Sequence, residues 1–251
     1  MLNTDIVSHQ SSPERERVLQ LADMLLTSPI PKDQIGENLG LFLNSKELSR
    51  LLFMTHLYQL AVPVHGSVFE FGTRWGNNLA IFHACRSIFE PFNKRLRPIV
   101  GWDSFEGFPS IHAKDGSGPL MTPGLVATTK NYEQFLTQLL ELHEAENPLS
   151  HLKRFELVKG DVNQTLPKYL KQHPETVLAL AYFDMDLYAP TKKALQCLKP
   201  RMTKGTVLGF DEAADPGAPG VTLSIMETLG LNNVRLQRLP YCSRTSFCVI
   251  E

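Results

Sequence analysis

The residues best placed to do chemistry are acids that close apolar runs. Asp184 and Asp186 stand in Phe183-Asp184-Met185-Asp186-Leu187-Tyr188, at the end of the run Val177 to Phe183. Asp211 and Glu212 follow the run Gly205 to Phe210, with Asp211 placed 27 residues after Asp184. One acid per strand end would be enough to cap a following helix; two at each end favour a site. Carboxylates crowded together repel, and a hard divalent cation that prefers oxygen ligands relieves that repulsion.

A second group lies upstream. Val68-Phe69-Glu70-Phe71-Gly72-Thr73-Arg74-Trp75-Gly76 reads as a strand, a glycine turn and the start of a helix. Its glycines let the backbone pass close to a ligand, but the three-glycine dinucleotide fingerprint is incomplete. Glu70 would repel a pyrophosphate and attract an ammonium. Asp103, 31 residues after Gly72, can accept the hydroxyls of a ribose, and Asp161 in Gly160-Asp161-Val162 can accept an adenine amine. An adenosine with a cationic tail, such as S-adenosylmethionine, fits these charges better than NAD does.

Such residues need a scaffold that brings them to one edge. The segment Pro190–Leu198 separates the two acidic strands, which makes a βαβ unit with both C-terminal ends on the same side of the sheet. Strands are expected at Ser67–Phe71, Ile99–Trp102, Phe155–Val158, Val177–Phe183, Thr206–Phe210, Asn233–Leu236 and Ser246–Ile250. Helices are expected at Asn77–Ile88, Tyr132–Glu144, Gln164–Gln172, Pro190–Leu198 and Val221–Leu229. This alternation predicts an α/β fold: a doubly wound, Rossmann-like, seven-stranded, mostly parallel sheet. Only about nine residues join the last two strands, too few for a crossover helix, so these are expected to pair antiparallel. Residues 1–63 carry two helical patterns and are expected as an N-terminal helical extension, a lid or a dimer surface, ahead of a domain over 64–251. Ser104 to Lys130 has no periodicity, and five glycines and prolines fall between Gly116 and Gly124. A connection that long is a lid or binding loop, or else a disordered insertion.

The totals exclude several classes. Twenty-five basic and 26 acidic side chains in 251 residues give no field for nucleic acid. Cys85, Cys197, Cys242 and Cys248 show no zinc-ligand spacing. Met1-Leu2-Asn3-Thr4-Asp5 lacks the features of a signal peptide, and no apolar run reaches 18 residues, so a cytoplasmic location away from membranes is expected. A homo-oligomer is compatible with the extension.

The motifs Glu70-Phe71-Gly72-Thr73-Arg74-Trp75-Gly76, Asp103-Ser104-Phe105-Glu106-Gly107-Phe108-Pro109, Asp184-Met185-Asp186-Leu187-Tyr188 and Asp211-Glu212 resemble those of the macrocin O-methyltransferase family. These are class I S-adenosylmethionine-dependent enzymes that methylate deoxysugars in antibiotic biosynthesis. The resemblance covers roughly residues 60 to 230. Within the family the chain looks most like members acting on nucleotide-linked deoxyhexoses, such as rhamnosyl O-methyltransferases of enediyne biosynthesis. The resemblance implies a divalent ion, usually Mg2+, held by Asp184, Asp211 and Glu212, with Asp186 as general base. The cofactor site is expected at Glu70, Gly72, Thr73, Arg74, Asp103, Ser104, Gly160, Asp161 and Asp184. Two positions depart from the family pattern: Glu212 replaces the usual second Asp of the pair, and Met185 the usual Gly between the motif aspartates.

The chemistry expected is in-line transfer of a methyl group to a sugar hydroxyl, with a carboxylate removing the hydroxyl proton. Asp186 is the first candidate for that base. His112 is the second, and its alternative is an exposed loop residue. Other readings keep the fold with a catechol or acyl-CoA acceptor, or make the chain a non-catalytic metal- and nucleotide-binding scaffold.

Overall fold

The apolar runs form the strands β1 (Ser67–Phe71), β2 (Ile99–Asp103), β3 (Phe155–Lys159), β4 (Leu178–Phe183), β5 (Met202–Phe210) and β6 (Ser246–Val249). This computed structural model describes residues 11–242 and 244–251. The reading of Met1–Asp5 lies outside the described residues. The strands make one sheet in the order β3-β2-β1-β4-β5-β6, parallel except for β6, which runs antiparallel to β5. Every residue of β1 and β4 is buried, as expected of central parallel strands covered on both faces.

The α-helices among the described residues are α1 (Ser12–Leu26), α2 (Ser45–Ala61), α3 (Asn77–Phe89), α4 (Tyr132–Glu146), α5 (Val162–Gln172), α6 (Tyr188–Leu198) and α7 (Pro219–Thr228). On one face of the sheet Phe53 and Leu57 of α2, Phe82 of α3 and Leu136 of α4 pack on Val68, Leu180 and Val207. On the other, Leu166 of α5, Leu195 of α6 and Ile225 of α7 pack on Phe69, Ala181 and Leu208. The two helices of the N-terminal extension differ. Phe53, Met54, Leu57, Tyr58 and Ala61 of α2 are buried in the sheet's core, whereas α1 buries no residue. No helix among the described residues is long and apolar enough to cross a membrane.

A row of stacked rings sets the level of the site. Trp102, Phe71, Phe183 and Phe210 contribute one ring from each of four adjacent strands, with neighbouring centroids 4.9, 5.2 and 5.2 Å apart. Ladder register pairs these same residues. The next residue of each strand is therefore at a common height: Asp103, Gly72, Asp184 and Asp211. Offset stacking adds to the apolar burial of such rings, so the floor of the site is also a well-packed part of the core.

Six strands are present among the described residues, not the seven expected. The alternation in Asn233–Leu236 reflects Val234 and Leu236 packing against the core without a ladder. Leu231–Asn233 is a 3-10 turn, and Gln237 makes a single antiparallel bridge to Phe247. A turn closed by Cys242 N–H donating to the Leu239 carbonyl then carries the chain away, and Pro240 within it has no N–H to extend the pairing. The last strand takes its antiparallel partner from β5 instead.

The Ser104–Lys130 segment holds together through its own contacts. Phe108 and Leu125 bury against Leu187, flanked by Ile111, Leu120, Met121 and Val126. The Phe108 N–H donates to the Leu125 carbonyl and the Gly124 N–H to the Phe108 carbonyl. Buried Asp115 pins the segment to the start of α6, accepting from the Tyr188 N–H at 2.5 Å and the His112 N–H at 2.7 Å.

Candidate active site

The strand ends open into a cavity of about 390 Å³ between β1 and β4, where the sheet order reverses. Open α/β sheets bind ligands at this point. Its walls come from α2, the glycine turn after β1, the Ser104–Lys130 segment and the ends of β2 and β4.

The turn after β1 is built on Gly72. At φ +87° a side chain is strained, and a Cβ would stand 1.8 Å from the Asp184 carbonyl oxygen. The turn therefore lies directly against the end of β4, which brings the two halves of the site together. Arg74, itself at φ 47°, donates its backbone N–H to Asp103 Oδ2 at 2.7 Å. Phe105 N–H donates to the other oxygen, Oδ1, at 2.6 Å. Asp103 is thus fixed at the end of β2, and burial raises its pKa. Ser104 closes the turn behind it, its hydroxyl donating to the Gly107 carbonyl at 2.8 Å. Asp161 caps α5 by accepting from the Asn163 N–H, and it lines the cavity beside Gly160.

Glu70 is fully buried in β1, and neither of its oxygens has a hydrogen-bond partner. Burial, then repulsion from Asp184, pushes its pKa well above the usual carboxylate range, only partly offset by the nearby Asn78 and Thr73 side chains. In the native protein this carboxyl keeps its proton where the unfolded chain has lost it. Stability is therefore lost as pH rises from the ordinary glutamate value toward the native one. Glu70→Gln removes the group that titrates. Its melting temperature relative to the parent is expected to rise between pH 4 and pH 8. A pH-independent difference in melting temperature would contradict this reading of Glu70.

The acidic cluster forms at the ends of β4 and β5. Asp184 N–H donates to the Phe71 carbonyl and Asp211 N–H to the Phe183 carbonyl, which continues the ladder into the site. Asp184, Asp211 and Glu212 each offer an oxygen within 4.8 Å of the others. Two arginines face them. Arg50 of α2 pairs with Asp211 at 2.6 Å and Asp184 at 3.6 Å. Arg244, before β6, pairs with Asp215 at 2.9 Å and Glu212 at 3.2 Å, and lies 3.6 Å from Asp186. Tyr182 donates its hydroxyl to Asp211 Oδ1 at 2.6 Å.

These partners divide the charge unequally. Burial and the neighbouring Asp211 hold Asp184 and Glu212 well above the usual carboxylate range. Burial would raise Asp211 too, but Arg50 and hydrogen bonds from its neighbours bring it down to about 2. Asp186 is held up to about 6 by burial and by Asp211. Glu212 Oε2 is buried with no partner. Three converging carboxyl groups, one of which leaves a buried oxygen unsatisfied, fit a hard divalent cation well.

The structure thus brings Glu70, Gly72, Thr73, Arg74, Asp103, Ser104, Gly160, Asp161, Asp184 and Asp186 around or beneath one cavity, with Asp211 and Glu212 adjoining Asp184. It does not bring His112 there. The His112 Nδ1 accepts from the Lys114 N–H, and its ring lies 4.8 Å from that of Tyr188, outside the cavity lining. Sequence reasoning missed Arg50, Arg244 and the Tyr182 hydroxyl. Arg50 left a faint signal, a lone cation among Leu48, Leu51 and Leu52; Arg244 left none.

A glycine turn after β1, acids at the ends of β2 and β4, and an antiparallel last strand on a parallel sheet define a class I methyltransferase fold. A solved structure of CalS11, described as a calicheamicin methyltransferase, matches with a TM-score of 0.93 at 40% identity, over 96% of this chain and 94% of that one. An apo structure of CalS11, described as a TDP-rhamnose 3'-O-methyltransferase of calicheamicin biosynthesis, matches at 0.84 and 37%, over 96% of each chain. The chain belongs to the O-methyltransferase family that includes CalS11, in keeping with the macrocin-type resemblance of its motifs. The O-methyltransferase NovP matches at 0.62 with 16% identity, over 96% of this chain and 99% of that one, and shows the fold alone. No family model matches the chain, and no curated protein does.

Proposed function

We propose that this chain transfers a methyl group from S-adenosylmethionine to a hydroxyl of a nucleotide-linked deoxysugar in antibiotic biosynthesis, with a divalent cation on Asp184, Asp211 and Glu212. The observation that carries this reading is the pairing around one cavity of two unlike halves. At β1 and β2 lie a buried acid without a hydrogen-bond partner and a second, fixed acid; at β4 and β5 lie the clustered carboxylates. The first half suits a cationic adenosine ligand and the second an acceptor rich in hydroxyls. The full-length likeness to CalS11, described as acting on TDP-rhamnose, supports the choice of acceptor.

S-adenosylmethionine would supply an electrophilic methyl on a sulfonium, and the cation would supply Lewis acidity and a template for adjacent hydroxyls. The rest falls to the chain. Glu70 would answer the ammonium of the methionine end, Asp103 would accept the ribose hydroxyls and Asp161 the adenine amine. Asp186, which lines the cavity two residues after Asp184, would take the hydroxyl proton. Gly72 would let the methionine end lie close to β4. The Ser104–Lys130 segment would exclude water from one side, leaving positioning as a large part of the rate gain.

Calorimetric titration tests the cofactor half. S-adenosylmethionine is expected to bind the parent, and Asp103→Ala to weaken it by at least about tenfold, or about 1.4 kcal/mol, near the low end for hydrogen bonds to a charged group. Tight NADH binding without S-adenosylmethionine binding would overturn the assignment.

A further inference from the structure

The two arginines at the acidic cluster meet different oxygens. Arg244 takes Glu212 Oε1 and Asp215 Oδ2, leaving Glu212 Oε2 buried without a partner. Arg50 reaches in from α2 with a single nitrogen. Its Nη1 lies 2.6 Å from Asp211 Oδ1, 3.6 Å from Asp184 Oδ2 and 2.9 Å from the Tyr182 hydroxyl oxygen. A positive charge thus stands between two of the three carboxylates whose oxygens converge within 4.8 Å.

We propose that Arg50 is a tethered counter-cation for the divalent site: it holds Asp184 and Asp211 together in the metal-free protein and must withdraw from them when a dication binds. This rests on the metal reading given above. Two considerations support it. The first is electrostatic. A guanidinium and a dication competing for the same two carboxylates would sit a few ångströms apart in a half-buried place, where repulsion is weakly screened. The second is that Arg50 has somewhere to go. Its side chain is 29% exposed on a long flexible stem, and it lines the same cavity as Glu47, three residues earlier on α2. Residues three apart are neighbours on a helix surface, so Glu47 offers the withdrawn guanidinium an alternative partner at the cavity wall. Arg244 differs in this respect, because Asp215 holds it at 2.9 Å.

The test is Mn2+ binding to the chelator-treated full chain, without cofactor or sugar, by calorimetry. Arg50→Gln is expected to bind Mn2+ at least about tenfold tighter than the parent, whereas Arg50→Lys, which keeps the charge, should stay within about threefold of it. Asp211→Asn should bind weakly. Metal-free Arg50→Gln should melt below the parent, and Mn2+ should close that gap. A second measurement needs no neutral variant. In the parent, the Arg50 side-chain nitrogen resonance, assigned by its loss in Arg50→Lys, should shift and exchange faster on adding Mg2+. Equal or weaker Mn2+ binding by Arg50→Gln, or an Arg50 resonance untouched by bound Mg2+, refutes the role of Arg50 and leaves the metal site standing. Failure of the parent and both Arg50 variants to bind Mn2+ refutes the metal site, and the proposal with it.

Discussion

Asp186→Asn is expected to lower kcat by roughly 10²–10⁴, the usual contribution of a positioned general base, while leaving fold and cofactor affinity intact. Asp186 sits at φ 59°, a left-handed conformation in which asparagine is among the better-tolerated residues, so the backbone turn should survive. The amide keeps the shape of the carboxylate and loses only the capacity to take a proton. In the parent, burial and the neighbouring Asp211 hold Asp186 at about 6, so its proton affinity is close to the working pH, where a base is most effective. The loss should fall on kcat and kcat/KM together, because the interaction is made in the transition state. His112→Ala is the matched control and should change little, since that ring packs on Tyr188 outside the cavity lining. Near-normal kcat in Asp186→Asn together with loss of activity in His112→Ala would reverse the assignment.

Removal of the proposed divalent ion should cost about 10³ or more in turnover, in line with the several kcal/mol that a Lewis-acidic cation contributes. Mg2+ should restore the chelated parent fully. Asp211→Asn should lose as much activity and recover little with added Mg2+. Asp211 is the acid held down to about 2, the member of the cluster that is ionised before any cation arrives, and it also anchors Arg50 and Tyr182. Full turnover after exhaustive chelation, with no metal found by elemental analysis, would contradict the proposed ligand set. The carboxylates would then bind the sugar hydroxyls directly.

The parts of this site written along strands could be read from the chain, and those written across it could not. The runs ending at Phe71, Phe183 and Phe210 are mostly apolar over their last few residues, as central parallel strands covered on both faces tend to be, so their ends and the following Gly72, Asp184 and Asp211 were legible. Arg50 was not. Apolar residues surround α2 so broadly that periodicity could not orient it. Leu48 and Leu52 turn out to be exposed, while Phe53, Met54, Leu57 and Tyr58 face the core and leave Arg50 to reach the carboxylates. Val234 and Leu236 alternate like a strand because they pack on the core, and alternation does not reveal whether a ladder partner exists. The location of His112 depends on how the Ser104–Lys130 segment folds on Tyr188 and Asp115, contacts more than 70 residues apart that no local pattern records.

The most direct measurement is a product assay with isotope-labelled S-adenosylmethionine, Mg2+ and three acceptors: a nucleotide-linked deoxyhexose, a catechol and an acyl-CoA ester bearing a free hydroxyl. Label is expected on the deoxyhexose, as an O-methyl ether released with one equivalent of S-adenosylhomocysteine. Label on the catechol or the acyl-CoA ester alone, or no transfer to any acceptor by protein that binds S-adenosylmethionine, would contradict the account.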